Sequence, residues 1–554
     1  MRQHPTKHAR RFFGVVLAAG LVIAACGSDS AGSSTTAQST ESSVATTSGG
    51  SEATTAGGTS PGTTPSTGAT KRGDVLTLAQ QLAPSTLNPA LANSDPNHFN
   101  IMALAYEPMV RLNPDLTYSP GLAEKWEFDA ENKNFTLTLR QGLKFSDGTP
   151  LTATEAVASI NYFLKTSAST PVFGSTISGV EATDDRTIVV SQSTSNPTLP
   201  RYFSENFYAG SVISPDAVAD PTLLDGASHG AGPYVLDTAD TVPGSTYVYT
   251  PNDNFYDQSL IHWNKIVVKV IADTAATVQA VQTGQVDVAF STDGTIVDAA
   301  KAAGITTSVG APVANFGVLL ADRDGEVAPE LKDPKVRQAL IQAVDNKAVC
   351  NAAFGPVGGV ASANWPTLDA NDSTIDSIYP YDVDKAKSLL AEAGFPDGFK
   401  IKLEMPAFPP FVTVGQAVAG LWKEIGVEAE ITTHPGVTES QTAQASKEFP
   451  TYVWGYGRLP AQLTAGSFLS GAPGAFNAWG TTDPDITSLI EAAPALPADE
   501  ASARYTEAFS DAYKLGWSVN ICELESITIG GDRATGWELE NADTIPFATI
   551  FTPT

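Results

Sequence analysis

Between Gly27 and Thr70 the chain is built almost wholly from Ser, Thr, Gly and Ala, with one Val and no aromatic residue. Such a stretch buries too little apolar surface to offset the entropy of ordering its backbone. Folding therefore has to be carried by the residues from Lys71 onward. Residues 26–70 are expected to form a flexible tether, and its last 44 residues give a root-mean-square reach of roughly 35–40 Å.

What precedes the tether indicates what it is tied to. Arg2, Lys7, Arg10 and Arg11 form a basic start, followed by the apolar run Phe12 to Ala25. That run is shorter than the roughly 20 residues needed to span a bilayer and suits the core of a signal peptide over residues 1–25. It ends in Leu21-Val22-Ile23-Ala24-Ala25-Cys26-Gly27, which resembles the lipobox of a bacterial lipoprotein. Lipid attached at Cys26 would hold the protein at the outer face of the cytoplasmic membrane, stably so with two or more acyl chains.

Loss of residues 1–25 would leave 28 basic against 60 acidic residues, a net charge of −32. That acidity argues against nucleic acid and anionic lipid as principal partners, since both repel such a surface. With 3 Cys in all there is no disulfide framework and no thiolate zinc cluster. For Cys350 and Cys522 two readings stay open. One is a disulfide closing a long loop, on the order of 4–5 kcal/mol in the chain-entropy account. The other is two buried thiols on separate elements, and this is the reading adopted.

From Lys71 the composition is that of a globular α/β protein with no second linker. Phe135, Leu137 and Leu139 alternate with Thr136, Thr138 and Arg140, the pattern of a half-buried strand. Trp126-Glu127-Phe128 and the turn-rich Asp129 to Asn134 supply the other arm of a hairpin. Thr152-Ala153-Thr154-Glu155 is a capping box, followed by a helical stripe of Val157, Ile160, Phe163 and Leu164. Asp333-Pro334 opens a further helix expected to run, with Val336, Leu340, Ala343 and Val344 on one face, to a stop near Gly355. Asp382 to Ala393 reads as another helix, with Leu389 and Leu390 inward and Gly394 as its stop.

Several segments carry a family resemblance. These include Tyr106-Glu107-Pro108-Met109-Val110-Arg111-Leu112 and Tyr118-Ser119-Pro120-Gly121-Leu122-Ala123-Glu124-Lys125-Trp126. The block from Leu139-Arg140-Gln141-Gly142-Leu143-Lys144-Phe145-Ser146-Asp147-Gly148 to Ala153 is the most recognisable. Gly232-Pro233-Tyr234, Asn254-Phe255-Tyr256, Gly284-Gln285-Val286-Asp287, Val336 to Leu340, Ala386 to Gly398 and Val453-Trp454-Gly455 follow in order. Together they resemble the family 5 extracellular solute-binding proteins, the peptide- and nickel-type binding components of ATP-binding-cassette importers.

The resemblance implies a two-lobed, periplasmic-binding-protein-like α/β fold with mixed sheets, a hinge, and an extra subdomain in the first lobe. By analogy lobe I covers 71–313, with the subdomain at roughly 95–205. Lobe II covers 314–515, and 516–554 return to lobe I. It also implies a monomer that captures a small molecule or short peptide in its cleft and passes it to a membrane permease, with no catalysis, cofactor or metal. A cell-surface sensor or scaffold of the same fold is the rival reading. Oligosaccharide, metal chelate and other carboxylate-bearing solutes are the alternative ligands.

Peptide-binding members place an Asp shortly after the Trp-Gly pair to hold the peptide's amino terminus, but here the run is Tyr456-Gly457-Arg458-Leu459-Pro460. An Arg there would favour a carboxylate or another anion; pairing with a neighbouring acid is the alternative. Trp454 and Tyr456 are candidate cleft walls, with core packing as the competing role. Tyr106, Glu107, Asn315, Phe316, Asn477 and Trp479 complete the candidate set.

Catalytic motifs are poorly supported. Gly226-Ala227-Ser228-His229-Gly230 spells G-x-S-x-G but leads into a strand, where a nucleophile elbow needs a strand before it and a helix after it. The tether repeats the pattern at Gly58-Thr59-Ser60-Pro61-Gly62. His98, His229, His262 and His434 fall in no metal-ligand spacing, and no Walker A stretch appears, so the ATPase is expected on another chain.

Overall fold

The computed structural model describes residues 72–92, 96–113, 117–167, 170, 174, 176–407, 409–471, 476–537 and 548–554. The signal peptide, Cys26 and the tether lie outside the described residues.

The strands in chain order are β1 (Leu76–Gln80), the short antiparallel pair β2 (Val110–Leu112) and β3 (Tyr118–Pro120), β4 (Ala123–Phe128), β5 (Asn134–Leu139), β6 (Ile177–Ala182), β7 (Thr187–Gln192), β8 (Tyr234–Leu236), β9 (Thr246–Pro251), β10 (Ile266–Val270), β11 (Val288–Ser291), β12 (Thr306–Leu320), β13 (Gly359–Ala361), β14 (Phe399–Pro406), β15 (Val427–His434), β16 (Thr451–Gly457) and β17 (Ser518–Gly530). One curled sheet of eleven strands takes the order β15-β14-β16-β12-β17-β11-β1-β10-β9-β8, with β13 paired to β17.

The sheet is mixed, as expected. β14 is parallel to β15 and β16, and β1 is parallel to β10 and β11, while β12 and β17 run antiparallel to each other at the centre. β14, the helix Phe411–Glu424 and β15 form one parallel crossover unit. The helix supplies Val414, Val418 and Trp422 to the core, so sequence periodicity and sheet cover agree there.

A separate four-stranded antiparallel sheet, β4-β5-β7-β6, carries the helix Ala153–Thr166. β5 alternates as its sequence requires, with Phe135, Leu137 and Leu139 buried, and the Phe128 and Phe135 rings meet at 4.8 Å across the hairpin. At the start of the helix the Thr152 side chain accepts from the Thr154 N–H, and the Thr152 N–H donates to Glu155 Oε2 at 2.9 Å. Ile160 and Phe163 are buried, while Val157 and Leu164 are half-buried against the same core.

One expected element divides in two. The chain from Asp333 forms helices Pro334–Gln342 and Asn346–Phe354. Asp345 caps the second by accepting from the Ala348 N–H at 3.0 Å, so an acid that reads as part of a single helix serves as a second N-cap. Gly355, at φ +74°, closes it.

Two large apolar cores, one gathering β1, β10 and the four-stranded subsheet, the other lying under the helices beside β14 and β16, give the two-lobed periplasmic-binding-protein architecture. Leu459 and Leu463, just past β16, pack into the first of these cores. β12 and β17 are the longest strands of the sheet and join β14 and β16 on one side to β11 and β1 on the other. Their register shifts at three places between Val309 and Gly317. Bulges at that spot loosen the ladder and bend it, which is what a hinge between rigid halves needs.

Cys350, on the helix Asn346–Phe354, and Cys522, on β17, are both buried and free. Their side chains hydrogen-bond to one another, and burial pushes the Cys522 thiol up.

Candidate functional site

Where the central strands cross between the lobes, four of them place one residue each in a single row. Tyr456 on β16 stands opposite Asn315 on β12, Asn315 opposite Glu523 on β17, and Glu523 opposite Val360 on β13. Directly opposed residues share a face of the sheet, so this row is contiguous although its members come from four distant parts of the chain. Tyr456 packs at the edge of the first core, which places its end of the row against the facing lobe.

Asn315 is 1% exposed; its Nδ2 donates to the Asn364 carbonyl at 3.0 Å, and its Oδ1 has no partner. The Tyr456 hydroxyl shares a hydrogen bond with Ser467 Oγ at 2.8 Å, and its ring meets Phe468 and Phe476 edge-on. Arg458 donates from Nε to the Thr367 carbonyl at 2.9 Å and from Nη1 to the Pro312 carbonyl at 3.3 Å. Its guanidinium thus ties the end of β16 to β12 and to the loop at Thr367.

The other sequence candidates lie elsewhere. Trp454 is 1% exposed and donates from Nε1 to Ser518 Oγ at 3.0 Å. Phe316 points to the other side of the sheet, where its ring meets Phe354 at 5.0 Å and Phe411 at 5.3 Å. Asn477 is consumed by structural bonds to the Ser470 and Thr481 carbonyls and to Arg323 Nη2. Trp479 is buried in the core that holds Trp454, with its Nε1 unpartnered.

Tyr106 and Glu107 sit inside the first core. The Tyr106 hydroxyl donates to the Leu87 carbonyl at 2.9 Å, and burial raises its phenol. Glu107 accepts from Arg111 at 2.7 Å and from the Tyr256 hydroxyl at 3.0 Å. Of the predicted set, Asn315, Tyr456 and Arg458 are the ones brought together at the lobe crossing.

Sequence reasoning missed Glu523. Its carboxylate is half-buried and hydrogen-bonds with Ser362 and Asn315; burial raises its pKa, while the nearby Arg458 guanidinium pulls the other way. The available signal was an acid placed twice, at 523 and 525, in a strand otherwise rich in apolar residues. Ser228 proves structural: its Oγ accepts from the Leu236 N–H at 3.0 Å at the end of β8. Among the described residues no group of three or more His, Cys, Asp or Glu is arranged to hold a metal ion, and no helix is long and apolar enough to cross a membrane.

The profile of the bacterial extracellular solute-binding proteins, family 5 Middle, matches residues 117–473, more than half of the chain. The chain belongs to this family. Among its relatives, it is 26% identical over 369 residues to the "probable peptide ABC transporter periplasmic-binding protein" of Sinorhizobium fredii, covering 63% of this chain and 68% of that one. Two solved structures share the fold. AgaA of A. tumefaciens R10, in complex with agropinic acid, superposes with a TM-score of 0.71 at 23% identity, over 86% of this chain and 96% of that one. The periplasmic binding protein DppA of Helicobacter pylori, in complex with the peptide STSA, also gives 0.71, at 17% identity over 87% and 98%.

Proposed function

We propose that this family 5 protein is the substrate-binding lipoprotein of an ABC importer, which captures a short peptide or peptide-like solute by closing two lobes and delivers it to a membrane permease. In this reading it binds without chemical turnover. Lobe I takes residues 71–313 with the subsheet region inserted, lobe II takes 314–515, and the rest returns to lobe I. The observation that carries the reading is the pair of long strands, β12 and β17, bulged where they pass between two separately packed cores. A ligand held at that crossing touches both lobes, so its binding energy favours the closed form over the open one.

A strain lacking the chain should lose uptake of the solute that the purified protein binds. Unchanged uptake of every bound solute would favour the sensor or scaffold reading, which the same fold and tether serve equally well. The anchor has its own test. Changing Cys26 to Ala should shift the protein from the membrane fraction to the soluble one, because residues 27–70 carry one Val and no aromatic residue and offer too little apolar surface to hold a bilayer. Retention of the variant on salt-washed membranes would rule out the lipid anchor.

A further inference from the structure

We infer that Glu523 and the Asn315 Oδ1 beside it form the subsite for a protonated amine of the ligand, so that the amine anchor lies on β17. This deepens the importer reading and rests on it. Position comes first: Glu523 sits in the row that crosses the hinge, on the strand shared by both lobes, opposite Asn315 in register. Here the central strands are bulged, and a bound group can feel both halves.

Chemistry comes second. Among the described residues no cation reaches Glu523 within ion-pair distance; its hydrogen bonds come from the neutral side chains of Ser362 and Asn315. Arg458 influences it electrostatically, but two of its donors are turned to the Pro312 and Thr367 carbonyls. Two further acids act on it: Glu525, two residues along β17, and Asp376, which accepts from the Ala363 N–H, both repel the Glu523 charge. A half-buried carboxylate among acids, without a contacting cation, attracts one.

The second, independent observation is the unpaired Asn315 Oδ1, in a side chain that is 1% exposed. The Asn315 Nδ2 already donates to the Asn364 carbonyl, and the oxygen is left needing a donor. An ammonium has three donors and no acceptor, which matches a carboxylate and an amide oxygen side by side. A carboxylate-bearing group, the preference that Arg458 suggested in the sequence, would meet like charge here.

The test uses the full mature protein and a panel of tripeptides with free amino termini, the same peptides N-acetylated, free amino acids, polyamines and amino sugars, read by thermal shift and then calorimetry. Free amines should stabilise the protein and their acetylated counterparts should not. Glu523→Gln should weaken the best binder by tenfold or more without lowering the unliganded melting temperature, since burial already disfavours the charged carboxylate, and Glu523→Asp should recover part of the affinity. Equal binding of acetylated compounds, wild-type affinity in Glu523→Gln, or no binding from the whole panel overturns the subsite. Non-peptide amines that bind through Glu523 while peptides fail would uphold the subsite and remove the peptide reading. Peptides that bind independently of Glu523 would do the reverse.

Discussion

Truncating Trp454 to alanine should lower folding stability by about 3–5 kcal/mol, the usual range for removing a large buried aromatic side chain. The indole is 1% exposed, bonds Ser518 through Nε1, and packs on Phe468 with ring centroids 5.2 Å apart. The space cannot easily collapse. Gly317 of β12 lies against the ring so closely that a Cβ there would come within 2.9 Å of it and within 2.4 Å of the Val519 carbonyl oxygen. The β12 backbone is thus pinned between the indole and β17, and the cavity would persist. Denaturant titration of the unliganded variant reads the loss directly. A cleft wall would behave otherwise, with wild-type stability and weakened ligand binding, and that result would return Trp454 to the binding surface.

The same contact explains which parts of the site the sequence disclosed. Val453-Trp454-Gly455 marks a family member, but its chemistry is packing: a Cβ on Gly455 would meet the Phe316 ring at 2.5 Å, and the absence of a side chain at Gly317 accommodates Trp454. A motif tells which residues recur together and leaves open whether they face ligand or core. Elements specified by neighbours in the chain were legible for physical reasons. The capping box at Thr152 and Glu155, the alternation from Phe135 to Leu139, and the Asp382 cap with Gly394 at φ +93° are each closed within a few residues.

The row Tyr456–Asn315–Glu523–Val360 is of another kind, because it exists only once the sheet order has been assembled from positions more than 40 residues apart in the chain. No local pattern encodes that register. Arg458 shows the same limit. Its side chain type suggested an anion anchor, yet what occupies its donors are the carbonyls of Pro312 and Thr367, and a backbone carbonyl leaves no trace in a sequence. Likewise the break between the helices Pro334–Gln342 and Asn346–Phe354 depended on whether Asp345 faced solvent or capped a new turn.

Glu205 should make stability depend on pH in a direction opposite to most carboxylates. Burial pushes its pKa up from 4.5 to about 7, and the neighbouring Glu107 carboxylate adds to the rise, against the Leu112 N–H and the Arg111 charge. The unfolded chain releases this proton near pH 4.5, whereas the folded protein keeps it until about pH 7. Between those values the folded state binds more protons, so stability falls as pH rises and the penalty is complete above about pH 7. A shift of that size corresponds to about 3 kcal/mol at 1.36 kcal/mol per unit. Glu205→Gln keeps an acceptor for the Leu112 N–H, now 2.9 Å from Oε2, and removes the ionisation. Denaturation of both proteins at pH 4, 6 and 8 should therefore show the variant gaining on the wild type step by step, by about 3 kcal/mol at pH 8. Parallel stability curves would mean that the carboxyl titrates alike in both states, through water reaching it or through a closer share of the Arg111 charge that Glu107 now holds at 2.7 Å.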